Sequence, residues 1–280
     1  MDKPIPDIEL NDGTRLPALG FGTYKLNGRA GVETMARAMR NGYHLLDSAF
    51  NYENEGAVGE AVKASGLPRD MIRVTSKLPG RRHRYDEARA TIEESVFRTG
   101  LDHLDIYLIH WPNPKTGLYV EAWQALVDAR QAGLVRTIGV CNFLPDHLER
   151  IIEATGVTPA INQIEFHPYF PQPEQLAFDR SKGIVTEAWS PLGRANDIIH
   201  NETIGAIAQR HGRSIPQIIL RWHVQQGAVA LPKATSDERQ VENRSVFDFE
   251  LSEADMQTIG TLARPDGRLA DQDPARYEEF

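Results

Sequence analysis

Four ionisable side chains of different chemistry, Asp47, Tyr52, Lys77 and His110, stand where apolar runs give out into turns. "HLLD" ends on Asp47 with Tyr52 in the loop beyond it, "RVTSK" ends on Lys77, and "IYLIH" ends on His110. A phenol holds its proton too tightly to be an efficient acid at neutral pH, but a neighbouring ammonium favours the phenolate and lowers its pKa. Lys77 is the candidate for that role. A buried lysine needs a carboxylate beside it to keep its own charge, and Asp47 is placed to supply one. Tyr52 then becomes a general acid, and a neutral imidazole at His110 a hydrogen-bond donor to the same substrate oxygen. Each residue alone has an ordinary structural explanation: a turn or cap for Asp47, a rim position for Tyr52, an exposed strand end for Lys77, a satisfied ring for His110. Together, at successive strand ends, they are read as a site.

The elements that must position them alternate along the chain. Strand-length apolar runs occur at "LGFGTY", "HLLDSA", "IRVTSKL", "LDIYLIHW", "RTIGVCNF", "AINQIEFH", "GIVTEAWS" and "AVALPKA". Helical stretches between them include Ala30 to Arg40, Asp86 to Arg98, Val120 to Gln131 and Pro145 to Ala154. Such alternation is the pattern of parallel βαβ units, and runs apolar on both faces favour a closed (β/α)8 TIM barrel. An open doubly wound sheet would carry a glycine-rich phosphate turn after its first strand. "GFGTYKLNG" lacks that spacing. Before the barrel, "IELNDGTRL" predicts an N-terminal β-hairpin with a two-residue turn at Asp12 and Gly13. The polar, proline-punctuated tail after Arg264 is expected to cross one mouth of the barrel as a loop. The whole span 1–280 is expected to form one domain. In a parallel barrel, chemistry collects at the C-terminal ends of the strands, which is where the four residues lie.

The composition excludes several function classes. A net charge of −8 argues against a general nucleic-acid partner, which needs a basic face. The single cysteine, Cys141, cannot form an intramolecular disulfide. No apolar leader or membrane-length run is present, so a cytoplasmic protein with no membrane partner is expected. The remaining histidines show no ligand spacing, so no metal is expected and a metal-dependent hydrolase finds no support.

Barrels often hold phosphate at the loops after their last two strands, here "SPLGR" and "PKATSDER". Lys233 and Arg239 are cations suited to a ribose 2'-phosphate, which favours NADPH over NADH. Ser236 or Asp237 would also cap a helix starting there.

"GYHLLDSAFNYENEGAVGEAV", "SKLP", "IYLIHWP", "GVCNF", "NQIEFHPY", "EAWSPLG" and "LPKATSDERQVENRSVFDFELS" together resemble the aldo-keto reductases, in particular bacterial 2,5-diketo-D-gluconate reductase-like members. The resemblance implies a (β/α)8 barrel that binds a nicotinamide cofactor and reduces the carbonyl of a small-molecule aldehyde or ketone, with diketones and keto-sugars among the candidates. It makes Asp47, Tyr52, Lys77 and His110 the catalytic tetrad. It places Asn142 and Gln163 on the carboxamide and Trp189 on the nicotinamide face, Ser190 and Leu192 at the pyrophosphate, and Glu242 and Asn243 at the adenine. Gly22, Cys141, Ala234 and Ser236 complete the cofactor set. Cys141 and Ala234 stand where relatives often carry serine, which leaves NADH use open. Tyr24, Phe50, Asn51 and Trp111 are candidates for the substrate pocket, and Pro79 stands where many animal members place a tryptophan. The family also implies a monomer. The competing function is a cofactor-sensing subunit that resembles the potassium-channel β subunits, but the intact tetrad speaks against it.

Overall fold

The computed structural model describes residues 3–195, 197–270 and 272–280. Strands β1 (Asp7–Glu9) and β2 (Arg15–Pro17) pair antiparallel as the N-terminal hairpin. The turn is wider than the two-residue loop expected, because Gly13 N–H closes a turn back onto Leu10 O and Gly13 itself is left-handed at φ 81°. Asp12 accepts from Thr14 N–H and so stabilises the wider form.

All the apolar runs become strands of one parallel sheet: β3 (Phe21–Gly22), β4 (Leu45–Asp47), β5 (Arg73–Leu78), β6 (Leu104–Ile109), β7 (Val135–Cys141), β8 (Ile161–Glu165), β9 (Val185–Trp189) and β10 (Val229–Ala230). They neighbour one another in chain order. The sheet closes where Leu19 bridges Ala230 and the Gly20 and Gly22 amides donate to Ala230 O and Pro232 O, both at 3.0 Å. Strand β10 is short because Pro232 has no N–H to continue its ladder.

The connecting helices are α1 (Gly28–Arg40), α2 (Glu55–Ser65), α3 (Tyr85–Thr99), α4 (Tyr119–Gln131), α5 (Pro145–Thr155), α6 (Pro173–Ser181), α7 (Glu202–His211), α8 (Ile215–Gln225), α9 (Asp237–Arg244) and α10 (Glu253–Gly260). The four helices expected from pattern form within two residues of their expected ends. Ser236 caps α9 by accepting from Arg239 N–H, as its position suggests.

Successive strand side chains point to opposite faces. Leu46, Val74, Tyr107, Ile109, Ile138 and Val140 therefore pack outward beneath the helices. Leu45, Ile106, Leu108, Cys141, Ile161 and Val229 fill the interior, joined by Leu10 and Leu16 of the hairpin. Asn11 donates to Pro159 O, just ahead of β8, so the hairpin plugs the end of the barrel at which the strands begin. The opposite mouth is left to the strand-end loops and the tail.

Candidate active site

The same alternation builds the site. Asp47 is in phase with inward Leu45, Lys77 with Thr75, His110 with Ile106 and Leu108, and Gln163 with Ile161, so these side chains all turn into the barrel at its strand-end mouth. Lys77 is fully buried. Its ammonium donates to Asp47 Oδ1 and to Ser48 O, both at 2.7 Å. The Tyr52 ring lies 5.1 Å from Lys77 Nζ, with the His110 ring edge-on at 5.9 Å.

Tyr52 reaches this position through a single turn of helix, Phe50–Tyr52, braced from below. Asn54 accepts from Ser48 Oγ at 2.7 Å and donates to Thr23 O at 2.8 Å, while Asn27 donates to Tyr52 O at 3.1 Å. From the sequence, the Lys77 ammonium is expected to lower the phenol's pKa. Burial pushes the Tyr52 phenol up, Lys77 recovers only part of that, and the net value is about 12. The phenol therefore keeps its proton at neutral pH. For Lys77, burial works against the charge, but Asp47 and Tyr52 outweigh it and raise its pKa above the ordinary lysine range.

Two carboxyl groups that the sequence analysis did not assign complete the site. Glu187, inside β9, accepts at 2.8 Å from Gln163 Nε2, which also donates to Asp47 Oδ1 at 2.9 Å. Burial and the nearby Asp47 push the Glu187 carboxyl up to about 8, against the pull of the Gln163 bond. Its signal was legible: an acid inside the apolar run "GIVTEAWS". Glu279 comes from the tail and lies with Oε1 2.8 Å from His110 Nδ1. Burial alone would raise its carboxyl, but His110, the Gly80 N–H and Asn51 hold it down at about 2.

The residues expected at a cofactor fall along the mouth and the two final loops. Asn142, left-handed at φ 62°, accepts from Trp189 Nε1 at 2.8 Å and donates to His110 O at 3.0 Å. Both N–H groups of Gln163 are engaged by Asp47 and Glu187, so only its amide oxygen is free to meet a ligand. Cys141 is buried beside this network, and burial raises its thiol well above the ordinary range. Ser190 takes a left-handed φ of 50°, and Leu192 packs between two core clusters. Gly22 sits at the seam, where a Cβ would come within 3.1 Å of Leu231 O. Lys233 is exposed and donates to Tyr24 O at 3.2 Å. Arg239 is exposed, and its guanidinium has no partner among the described residues. Ala234 is buried with its carbonyl accepting from Gln240; Asn243 is buried and Glu242 half-buried on α9.

The aldo/keto reductase family model matches residues 18–264. The chain belongs to the aldo/keto reductase family. It is 48% identical over 276 residues to 2,5-diketo-D-gluconic acid reductase B of Corynebacterium sp. (strain SHS752001), covering 99% of both chains. It is 42% identical to morphine 6-dehydrogenase of Pseudomonas putida, covering 98% of each. Among solved structures it resembles Gox0644, crystallised as a variant in complex with NADPH, with a TM-score of 0.92 and 39% identity over 97% of this chain and 98% of that one.

Of the pocket candidates in this aldo/keto reductase, Tyr24 lies at the rim with its ring 5.0 Å from Tyr52. Trp111 is buried against Tyr277 of the tail at 4.5 Å, and Asn51 donates to Glu279 at 2.9 Å. Phe50 does not join them. The turn that aims Tyr52 inward rotates its neighbour outward, and the Phe50 ring lies under the Arg98 guanidinium at 4.0 Å, lining a cavity with α3 residues. The tail crosses the mouth as expected, and its final residues, beyond the span of the family match, form one wall of the site. Among the described residues no three His, Cys, Asp or Glu side chains gather to hold a metal.

Proposed function

We infer that the chain reduces the carbonyl group of aldehydes and ketones to the alcohol, with NADPH as hydride donor. The observation that carries this is the buried Asp47 and Lys77 pair set against the Tyr52 phenol, with His110 beside it. Tyr52 donates its proton to the carbonyl oxygen as negative charge develops there, and the fixed Lys77 ammonium stabilises the phenolate left behind. Asp47 holds that ammonium in place and keeps it charged. His110 binds the same oxygen and fixes its direction. A nicotinamide cofactor bound beside these residues would supply the hydride for the carbonyl carbon.

The residues present suit such a cofactor. Arg239 offers, at the first turn of α9, a guanidinium with no partner among the described residues, and Lys233 a second cation on the same loop, an arrangement suited to a ribose 2'-phosphate. The Gln163 oxygen and the remaining Asn142 N–H suit a carboxamide, and Trp189, tied to Asn142, offers a ring face to the nicotinamide. Diketones and keto-sugar acids are the first substrate class to test, because the relative at 48% identity is named for 2,5-diketo-D-gluconic acid.

The test is NADPH oxidation by wild type and Tyr52→Phe against aldehydes, α-diketones and keto-sugars, with NADH in parallel. Turnover should fall by about 10²-fold or more in the variant while cofactor binding persists. Turnover equal in both proteins, or none with any carbonyl despite cofactor binding, would overturn this function.

A further inference from the structure

The second residue from the end of the chain lies inside the site. Glu279 Oε2 accepts from Gly80 N–H at 2.9 Å, and Oε1 accepts from Asn51 Nδ2 at 2.9 Å. These donors stand on the loops after β5 and β4, and His110, 2.8 Å from the same Oε1, directly follows β6. The backbone is seated with equal care. Glu279 N–H donates to Asn113 Oδ1 at 3.0 Å, and Asn113 Nδ2 donates to Glu279 O at 2.9 Å. On either side of this clasp, Tyr277 packs on Trp111, and Glu278 accepts from the Lys115 and Thr116 amides. A carboxylate held by this many fixed groups is part of the site, not a loose end across it.

The His110 ring has no other hydrogen-bonding side chain among the described residues. Its Nδ1 is enclosed, whereas Nε2 is not among the buried nitrogens left without a partner. The Nδ1 to Oε1 contact is close, yet the ring N–H is not aimed along it. Catalytic hydrogen bonds are often misaligned before substrate binds and tighten in the complex. A carboxylate accepts and cannot donate, so its contact with Nδ1 requires the hydrogen to be on that nitrogen.

We propose that Glu279 is a positioning residue for His110, holding the imidazole by Nδ1 so that Nε2 is presented to the reacting oxygen. The proposal rests on the reductase function given above. It makes the extended final stretch of the tail, 277–280, a working part of the proton-transfer site. Phe280 beyond it is exposed, and loss of the tail would release His110 while leaving Asp47, Lys77 and Tyr52 in place.

The test compares wild type, Glu279→Ala and Glu279→Gln, the last retaining the backbone clasp with Asn113 and an oxygen acceptor. Nitrogen-15 NMR of the His110 imidazole, read in protein without substrate, reports which ring nitrogen carries hydrogen. Nδ1–H is expected in wild type, with hydrogen redistributed to Nε2 in Glu279→Ala and a smaller change in Glu279→Gln. With NADPH and the best carbonyl substrate, kcat should fall by about tenfold or more in Glu279→Ala, the scale on which carboxylates that orient metal-bound histidines act, and NADPH affinity should stay unchanged. An unchanged imidazole pattern in both variants overturns the proposal, whether or not kcat falls, since a fall would then come from tail docking alone. If Glu279→Ala does not fold, Glu279→Gln decides by the same spectrum. Should wild type reduce no carbonyl, the function fails while the spectrum still decides the Glu279 contact.

Discussion

Gln163 Nε2 lies 2.8 Å from Glu187 and thereby ties this buried carboxyl group to Asp47, on the far side of the same amide. Gln163 joins two buried carboxyl groups, Asp47 and Glu187, beside one ammonium, Lys77, and ionising both would leave an uncompensated buried charge. Glu187 therefore keeps its proton up to about pH 8, well above an unfolded-state glutamate. Between the unfolded value and pH 8 the folded chain holds more protons than the unfolded one, so stability falls as pH rises through that window. Thermal unfolding should show wild type losing several degrees in Tm, on the order of 5 °C, between pH 5 and pH 8.5, and Glu187→Gln losing clearly less. Parallel pH curves for the two proteins would rule this out.

Lys77 and Asp47 stabilise one another as a buried pair at 2.7 Å. Lys77→Met leaves Asp47 with only Gln163 as a side-chain partner, and Asp47→Asn leaves the Lys77 charge with Ser48 O and a neutral amide. Each single change is expected to cost about 3–5 kcal/mol, and the double variant less than the sum by about 1 kcal/mol or more. Denaturant unfolding of the four proteins measures this coupling directly. Additive costs would mean that the pair is not an energetic unit.

The barrel, and the gathering of Asp47, Tyr52, Lys77 and His110 at its mouth, were legible because both depend on short-range order. Eight apolar runs separated by helical patterns define parallel strands, and a period of two within each run decides which side chains turn inward. Asp47, Lys77 and His110 follow from that rule alone. Glu187 obeys the same rule and could have been found as an acid at an inward position. The Phe50 error has a different origin. Its direction is set by the turn at Phe50–Tyr52, where side chains two residues apart diverge by rotation about a helical turn, not by strand alternation. Glu279 left no local signal, because its clasp with Asn113 joins residues 166 apart. The Tyr52 pKa depends on a balance between burial and charge that no residue pattern encodes.

Cofactor choice should respond to Arg239 more than to any tetrad residue. Its guanidinium is exposed at the start of α9 and has no partner among the described residues, so removing it leaves none of their buried groups unsatisfied. Arg239→Ala is expected to weaken NADPH binding by about 10- to 100-fold, the scale of one charge-assisted contact, and to leave NADH binding little changed. Fluorescence titration with both cofactors measures the ratio. An equal loss for both would move the 2'-phosphate contact elsewhere.

Helix propensity alone predicts that replacing a helical glycine with alanine stabilises, by about 1 kcal/mol. Two glycines of this barrel should give opposite results. At Gly59 on α2, a Cβ would lie 1.7 Å from the carbonyl oxygen of Thr99 at the end of α3, so the two helices would have to separate. At Gly260, the last residue of α10, nothing lies within 4 Å of the new carbon. Gly59→Ala is therefore expected to destabilise by about 1–3 kcal/mol despite its propensity gain, because a backbone atom cannot yield as a flexible side chain can. Gly260→Ala should be neutral or stabilising by up to about 1 kcal/mol. Urea unfolding midpoints at constant m-value give both signs. If Gly59→Ala matched Gly260→Ala, the close approach of α2 to α3 would be wrong, and so would the outer packing that holds the loop before α2, with Tyr52, over the mouth.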